Sequence, residues 1–126
     1  ALAGSMLGSG GVTVMEEGTD MVWAALRLME FFYHESCGKC SPCREGSSWL
    51  VQIMRRIVNK RGQMADLETL TDLCKNIAGR TVCAFGDAEV SPILSTLKHW
   101  RHEYVAMIHA AEAANLIRPE PAGAKH

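Results

Sequence analysis

The stretch HESCGKCSPCREG, residues 34–46, places Cys37, Cys40 and Cys43 at intervals of three residues. This spacing lets the three thiols point into one concave loop, and Gly38 permits the tight turn that such a loop needs. Three crowded thiols do not suit an even-numbered disulfide framework. A tetrahedral metal ion or an iron–sulfur cluster instead takes four ligands and accepts one from a distant part of the chain. The stretch therefore predicts a metal centre that still lacks one ligand.

The fourth ligand has two candidates, Cys74 and Cys83. Cys74 lies on the apolar stripe of a predicted helix, which favours a packed core thiol. Cys83 lies in an irregular segment just before another predicted helix, where its side chain is free to meet a metal centre. We therefore predict Cys83 as the fourth ligand, in the pattern C-x2-C-x2-C-x39-C, and keep Cys74 as the alternative.

Two kinds of centre suit four thiolates, because zinc accepts them as readily as iron does. Zinc sites usually gather their ligands as two separated pairs. Here three thiols share one loop and a single remote thiol completes the set. That arrangement favours a cubane, whose corners are farther apart than the ligands of one zinc ion. The spacing predicts a [4Fe-4S] cluster, with structural zinc as the alternative.

Positive charge close to the cysteines suits an anionic cluster. Four thiolates around an oxidised cubane leave a net charge of about −2, which the amino end of the following helix can offset. Lys39, Arg44 and Arg80 are near the ligands in sequence, although Lys39 has a simpler interpretation as a surface cation. His34 is expected at the end of the first helix, interacting with open carbonyls there.

Composition argues against several classes of function. The chain has 126 residues, 48% of them hydrophobic, which suits about one domain. Its formal net charge of −1 offers no broad basic field for nucleic acid or an anionic membrane. No apolar run approaches the roughly 18 residues of a membrane span, and an odd number of clustered cysteines fits a reducing compartment such as the cytoplasm. No acid–base pair, activated nucleophile or phosphate loop indicates a catalytic residue.

Hydrophobic periodicity predicts an all-α fold, a four-helix bundle with the cysteine loop at one end. Helices are predicted from Thr19 to about Tyr33, from Ser41 to about Lys60, from Ala65 or Asp66 to Ile77, and from Ser91 to about Ala114. The last helix is given a start at a Ser-Pro pair. The preceding segment, residues 79–90, is expected to be a loop.

The two ends of the chain differ from this bundle. Three glycines between residues 8 and 11 precede residues 12–15, a pattern that predicts a turn and one short strand. One strand is not stable without neighbours, so the sequence indicates a fragment of a longer protein. The expected organisation is the end of a preceding domain in residues 1–15, a cluster-binding bundle in residues 16–115 and a flexible tail in residues 116–126.

Three segments, ESCGKCSPCREG, GRTVCAFGDAEVSPI and LKHWRHEY, together resemble the C-terminal domain of the NADH-binding flavoprotein subunit of respiratory complex I, the family of NADH-quinone oxidoreductase F subunits. Related subunits occur in NAD-reducing hydrogenases and NAD-dependent formate dehydrogenases. The resemblance implies that Cys37, Cys40, Cys43 and Cys83 bind a [4Fe-4S] cluster within a four-helix bundle. It also implies that the residues before about Met15 end an upstream ubiquitin-like domain.

The same resemblance implies a function in electron transfer. In the parent protein, NADH would reduce FMN by hydride transfer, and single electrons would pass to this cluster and on to the iron–sulfur subunits of the peripheral arm. Such a complex is cytoplasmic and peripheral to the inner membrane. The glycine-rich segments that hold FMN and NADH in the family have no counterpart in these 126 residues. This chain alone is therefore not expected to oxidise NADH.

Three other functions stay open. The same module could serve an NAD-dependent hydrogenase or formate dehydrogenase. The bundle could be stapled by zinc and act only in protein interaction, without redox chemistry. The cluster could also act as a regulatory sensor, which would not pass electrons to partner subunits.

Overall fold

A computed structural model describes residues 4–114, which fold into five α-helices. The helices are α1 (Met21–Glu35), α2 (Ser41–Val58), α3 (Met64–Ile77), α4 (Phe85–His99) and α5 (Arg101–Ala113). The first three predicted helices are confirmed to within two residues at each end. The predicted tail, residues 116–126, lies outside the described residues. No described helix is long and apolar enough to span a membrane.

The first four helices form the predicted bundle. α1 packs against α2 and α4, and α3 also packs against α2 and α4, so the four helices close a ring around one core. α5 packs across α1, α2 and α4. The core consists of buried side chains from all five helices, namely Val22, Ala25, Leu26, Met29, Leu50, Val51, Ile53, Met54, Ile57, Leu67, Leu70, Cys74, Ile77, Val90, Ile93, Leu97, Tyr104 and Ile108.

Local hydrogen bonds explain where the helices begin. The Asp20 carboxylate caps α1 by accepting from the backbone N–H groups of Val22 and Trp23, each at 2.9 Å. Glu103 of α5 accepts from the N–H of Met21 at 2.9 Å, which ties α5 to the first turn of α1. These bonds satisfy donors that a helix start leaves unpaired. They place α1 so that its last turn leads directly into the cysteine loop.

A close approach of α2 and α3 holds the first turns of α2 against the core. A Cβ atom added at Gly46 would lie 2.5 Å from Cδ1 of Ile77, a separation that real Cβ contacts do not show. Glycine is thus required at this position for the two helices to approach. Because Gly46 lies one turn after Cys43, the approach also positions that cysteine.

The predicted start of the last helix is wrong. α4 begins at Phe85, so the Ser91–Pro92 pair lies inside it, and residues 85–90 are helical rather than loop. Pro92 lacks only the one N–H that would bond the carbonyl four residues earlier. The earlier start buries Glu89 and Val90 against the core, and this packing outweighs the local signal of the Ser-Pro pair.

The last predicted helix is also interrupted. It ends at His99, and α5 begins at Arg101 after an irregular Trp100. The Tyr104 hydroxyl meets Thr96 Oγ1 at 2.8 Å in the core. In a continuous helix these two residues would be about 12 Å apart along the axis, so the contact requires the break. The bundle therefore ends with two helices where periodicity predicted one.

The predicted short strand at residues 12–15 is not formed. These residues have no regular secondary structure, and Val12 and Val14 are exposed. A strand needs a neighbour to complete its hydrogen bonds, and the described residues include no strand beside this segment. The division into a preceding domain, a bundle and a tail remains a prediction.

Candidate metal centre

The three-cysteine loop joins α1 to α2. Gly38 has a φ of 75°, the left-handed region that favours glycine, and its carbonyl accepts from Arg44 Nη1 at 2.7 Å. Cys40 is the residue that precedes α2, and Cys43 lies in the first turn of that helix. Cys37 is exposed, Cys40 is half-buried and Cys43 is buried. The loop thus presents three thiols at different depths around the amino end of one helix.

Cys43 is the most enclosed of the three. Its sulfur lies 3.2 Å from the Ser36 hydroxyl and donates to Glu89 Oε2 at 3.3 Å. Burial raises the pKa of the Cys43 thiol, the Ser36 hydroxyl lowers it and the Glu89 carboxylate raises it further. Ser36 also accepts from the Gly38 N–H at 3.3 Å. Metal binding would have to displace the thiol proton, because the thiolate is the ligand.

The segment that carries Cys83 lies against this loop. The backbone N–H of Val82 donates to the Cys40 sulfur at 3.4 Å, across 42 positions of the chain. The Thr81 hydroxyl donates to the Cys83 carbonyl at 2.8 Å, which fixes the backbone at that cysteine. Cys83 itself is exposed. The structure therefore brings the segment of the predicted fourth ligand beside the other three.

Two further contacts shape the segment before α4. Asp87 Oδ1 accepts from the Gly79 N–H at 2.7 Å and so closes the segment between α3 and α4. Gly86 packs so closely on the Thr81 side chain that a Cβ atom would collide with it. The glycine and the aspartate of the GDA sequence thus hold the backbone that presents Cys83.

Cys74 occupies a different environment. It is fully buried in α3 within the core. Burial raises the pKa of its thiol to about 12, and the Glu89 carboxylate adds to this effect. A thiol with so high a pKa stays protonated and makes a poor ligand. The predicted packed core thiol is confirmed.

Glu89 is a site residue that the sequence interpretation missed. It is fully buried in α4, its Oε2 bonds Cys43, and its Oε1 has no hydrogen-bond partner among the described residues. Burial raises the pKa of the Glu89 carboxyl to about 7, although the bond from Cys43 lowers it. A signal did exist in the sequence, because Glu89 precedes Ile93 and Leu97 at intervals of four. An earlier helix start would have put it on the buried stripe.

The predicted cations differ in their relation to the loop. Arg44 contacts it through the Gly38 carbonyl and also bonds the Glu45 carboxylate at 2.9 Å. Lys39 and Arg80 are exposed. His34 lies in the last turn of α1, as expected. Of the charges that the sequence suggested, the arginine at position 44 is therefore the one that shapes the cysteine loop.

The donor set fits a cluster of several irons. Among residues 4–114, no three His, Cys, Asp or Glu side chains converge closely enough for a single metal ion. A cubane does not require such convergence, because each thiolate binds an iron at a separate corner. The Val82 N–H that points at the Cys40 sulfur is the kind of donor that stabilises cluster-bound thiolates.

Similarity to known proteins is consistent with this donor set. A sequence profile described as the NADH-ubiquinone oxidoreductase-F iron-sulfur binding region matches residues 23–107. The second of two NADH-quinone oxidoreductase F subunits of Rhizobium meliloti is 55% identical over 106 residues, which are 84% of this chain and 25% of that protein. The corresponding protein of Streptomyces coelicolor is 53% identical over 102 residues, 81% of this chain and 23% of that protein. The chain spans about a quarter of the length of these relatives.

A solved structure shares the fold. The NAD+-reducing [NiFe]-hydrogenase in its H2-reduced state superposes with a TM-score of 0.72 at 26% identity. The match covers 86% of this chain and 17% of the hydrogenase chain. The predicted resemblance is confirmed by both the sequence relatives and this structural neighbour.

Proposed function

The chain belongs to the NADH-ubiquinone oxidoreductase-F iron-sulfur binding region family, and on that basis we propose that it is an electron-relay module. Its Cys37, Cys40, Cys43 and Cys83 would hold one [4Fe-4S] cluster. When bound, such a cluster accepts and releases one electron at a time. The observation that carries the proposal is the bond from the Val82 N–H to the Cys40 sulfur, which supports a meeting of the two cysteine segments.

The residues of this chain would ligate the cluster and stabilise its charge. Four thiolates supply the ligands, and the amino end of α2 places its dipole and free N–H groups beside them. The Val82 N–H would stabilise the negative charge on the Cys40 sulfur. Because Gly38 and Arg44 hold the loop and the helices are packed, the ligands would move little when the cluster changes charge.

The parent protein would supply the electrons. Because this chain spans about a quarter of its relatives, NADH and FMN would bind in an upstream domain whose last residues are about 1–15. Residues 16–115 would then form the cluster-binding domain. We further propose that the electrons pass to iron–sulfur subunits of an NADH-quinone oxidoreductase, in a complex on the cytoplasmic side of the inner membrane. The curated relatives favour a quinone-linked complex over a hydrogenase.

Metal and acid-labile sulfide analysis tests the ligand set. Wild-type protein is expected to be brown, to absorb near about 400 nm and to lose that band with dithionite. Cys83→Ser should lose the cluster because a ligand is missing. Cys74→Ser should keep it, and Cys74→Ala serves as a second control because a buried serine hydroxyl could destabilise the core.

Other results would refute the proposal. Colourless protein with stoichiometric zinc would identify a structural zinc site. Loss of the cluster in both Cys74 variants and its retention in Cys83→Ser would show that the fourth ligand is wrong. A cluster that is reduced but does not pass electrons to the partner subunits of the purified complex would indicate a sensor rather than a relay.

A further inference from the structure

Two adjoining depressions lie along the outer side of α2, next to α3. The first measures about 330 Å³ and the second about 560 Å³. The first is lined by Trp49, Gln52, Ile53, Arg56, Thr69 and Leu73. The second is lined by Gln52, Arg55, Arg56, Asn59 and Arg61. Because they share Gln52 and Arg56, they form one continuous surface, which we call the α2–α3 groove.

One end of the groove is apolar. Trp49 is 51% exposed, although a side chain of this size usually finds a packing partner. Ile53 is buried, and Leu73 packs on the core while remaining half-buried. An exposed indole beside two aliphatic side chains leaves room for one more apolar side chain.

The other end of the groove is basic. Four of the 13 lysines and arginines of the chain, Arg55, Arg56, Lys60 and Arg61, fall within residues 55–61. The groove lining includes three of these arginines and the carboxamides of Gln52 and Asn59, without any carboxylate. In a chain with a net charge of −1, this concentration is a local positive patch. It is complementary to an anionic partner.

Two of the arginines are held in place. Arg55 donates through Nε to Glu30 at 2.9 Å, and Arg56 pairs with Asp66 through both Nε and Nη2. The two side chains remain 55% and 49% exposed. Each guanidinium has five N–H donors in a fixed fork, so further donors remain available at the surface. The pairs restrain the arginines in advance, which lowers the entropy lost on binding.

We propose that the α2–α3 groove docks an acidic segment of a partner protein. Carboxylates of that segment lie against Arg55, Arg56 and Arg61, and one aromatic or aliphatic side chain lies between Trp49 and Leu73. Tryptophan and arginine are the residues that most often dominate protein interfaces. A small ligand would instead bury most of its surface in an enclosed site, whereas this groove is open and elongated.

The groove is separate from the cysteine site. Arg56 follows Cys43 by 13 positions on the same helix, which places it roughly 20 Å away along the axis. Docking here adds an attachment point that the ligation of a cluster neither requires nor implies. The inference therefore goes beyond the proposed electron relay.

Photo-crosslinking in the assembled complex tests this docking. The full-length parent protein is expressed with p-benzoylphenylalanine in place of Gln52, which lines both depressions, and the adduct is sequenced by mass spectrometry. We expect a segment of another subunit that carries at least two carboxylates near an aromatic or aliphatic residue. The double variant Arg55→Glu/Arg61→Glu should reduce the adduct by about tenfold or more, because like charges then face each other.

Matched variants separate charge from folding. Arg55→Lys/Arg61→Lys keeps the charge and should retain most of the adduct. Lys75→Glu/Lys98→Glu makes the same charge change at exposed residues outside the groove lining and should leave the yield unchanged. Iron content, measured in every variant, reports the cysteine site independently, so a failure of docking is distinguishable from a failure of the cluster.

Several outcomes would overturn the docking proposal. They are an adduct with a second copy of the same protein, with a lipid or nucleotide, or with a segment that lacks carboxylates. The absence of any adduct in the assembled complex would count equally against it. So would a yield that does not respond to charge reversal at Arg55 and Arg61.

Discussion

Replacing Glu89 by glutamine is expected to remove a pH dependence from the folding stability of the metal-free chain. Glu89 is fully buried, and its Oε1 has no hydrogen-bond partner among the described residues. Burial raises the pKa of its carboxyl from 4.5 to about 7. The folded state therefore prefers the protonated form, in which the side chain carries no charge.

The size of the effect follows from linkage between protonation and folding. A carboxyl with a raised folded-state pKa stabilises the fold fully below its unfolded pKa of 4.5, and this stabilisation is lost as the pH rises through about 7. At about 1.4 kcal/mol for each pKa unit, the total loss is roughly 3 kcal/mol. About 2.5 kcal/mol of it falls between pH 5 and pH 8.

Urea unfolding followed by circular dichroism at pH 5, 6, 7 and 8 measures this loss. The free energy of unfolding of wild type should fall by about 2.5 kcal/mol more than that of Glu89→Gln over this range. Glu45→Gln is the matched control, because it removes an exposed carboxylate that pairs only with Arg44, and it should retain the wild-type pH dependence. Equal pH dependence in wild type and Glu89→Gln would refute the reasoning.

Two further substitutions test the packing that holds the site. Gly46→Ala would place a Cβ atom 2.5 Å from Ile77 Cδ1, so we expect a loss of about 1–2 kcal/mol after the gain in helix propensity is allowed for; an unchanged melting temperature would contradict the close approach of α2 and α3. Tyr104→Phe removes the buried bond to Thr96 and should cost about 1–2 kcal/mol in urea unfolding. A neutral result there would show that the bond does not hold α5 against α4.

The periodic segments of the sequence were sufficient for most of the fold. α1, α2 and α3 follow the predicted spacing because an amphipathic helix repeats its buried positions every three or four residues. The same regularity placed Cys74 on the buried side of α3. Adjacent cysteines at intervals of three likewise predicted a shared loop, since short spacing restricts how far apart the thiols can lie.

The sequence was not sufficient where distant residues decide the local structure. The start of α4 depends on the burial of Glu89 and Val90, and the break at Trp100 depends on the contact between Tyr104 and Thr96. A Ser-Pro pair and an unbroken apolar period are weaker than these packing contacts, so local patterns predicted one helix with a late start.

By itself, then, the sequence determined the helical class, the bundle and the identity of the candidate thiols, because these depend on residue spacing along one segment. Only the tertiary structure decided that the Val82 N–H meets the Cys40 sulfur and that a buried carboxyl lies against Cys43. Both contacts join residues more than 40 positions apart. Such contacts arise from how whole helices pack, and no local pattern encodes the direction in which a packed helix points its side chains.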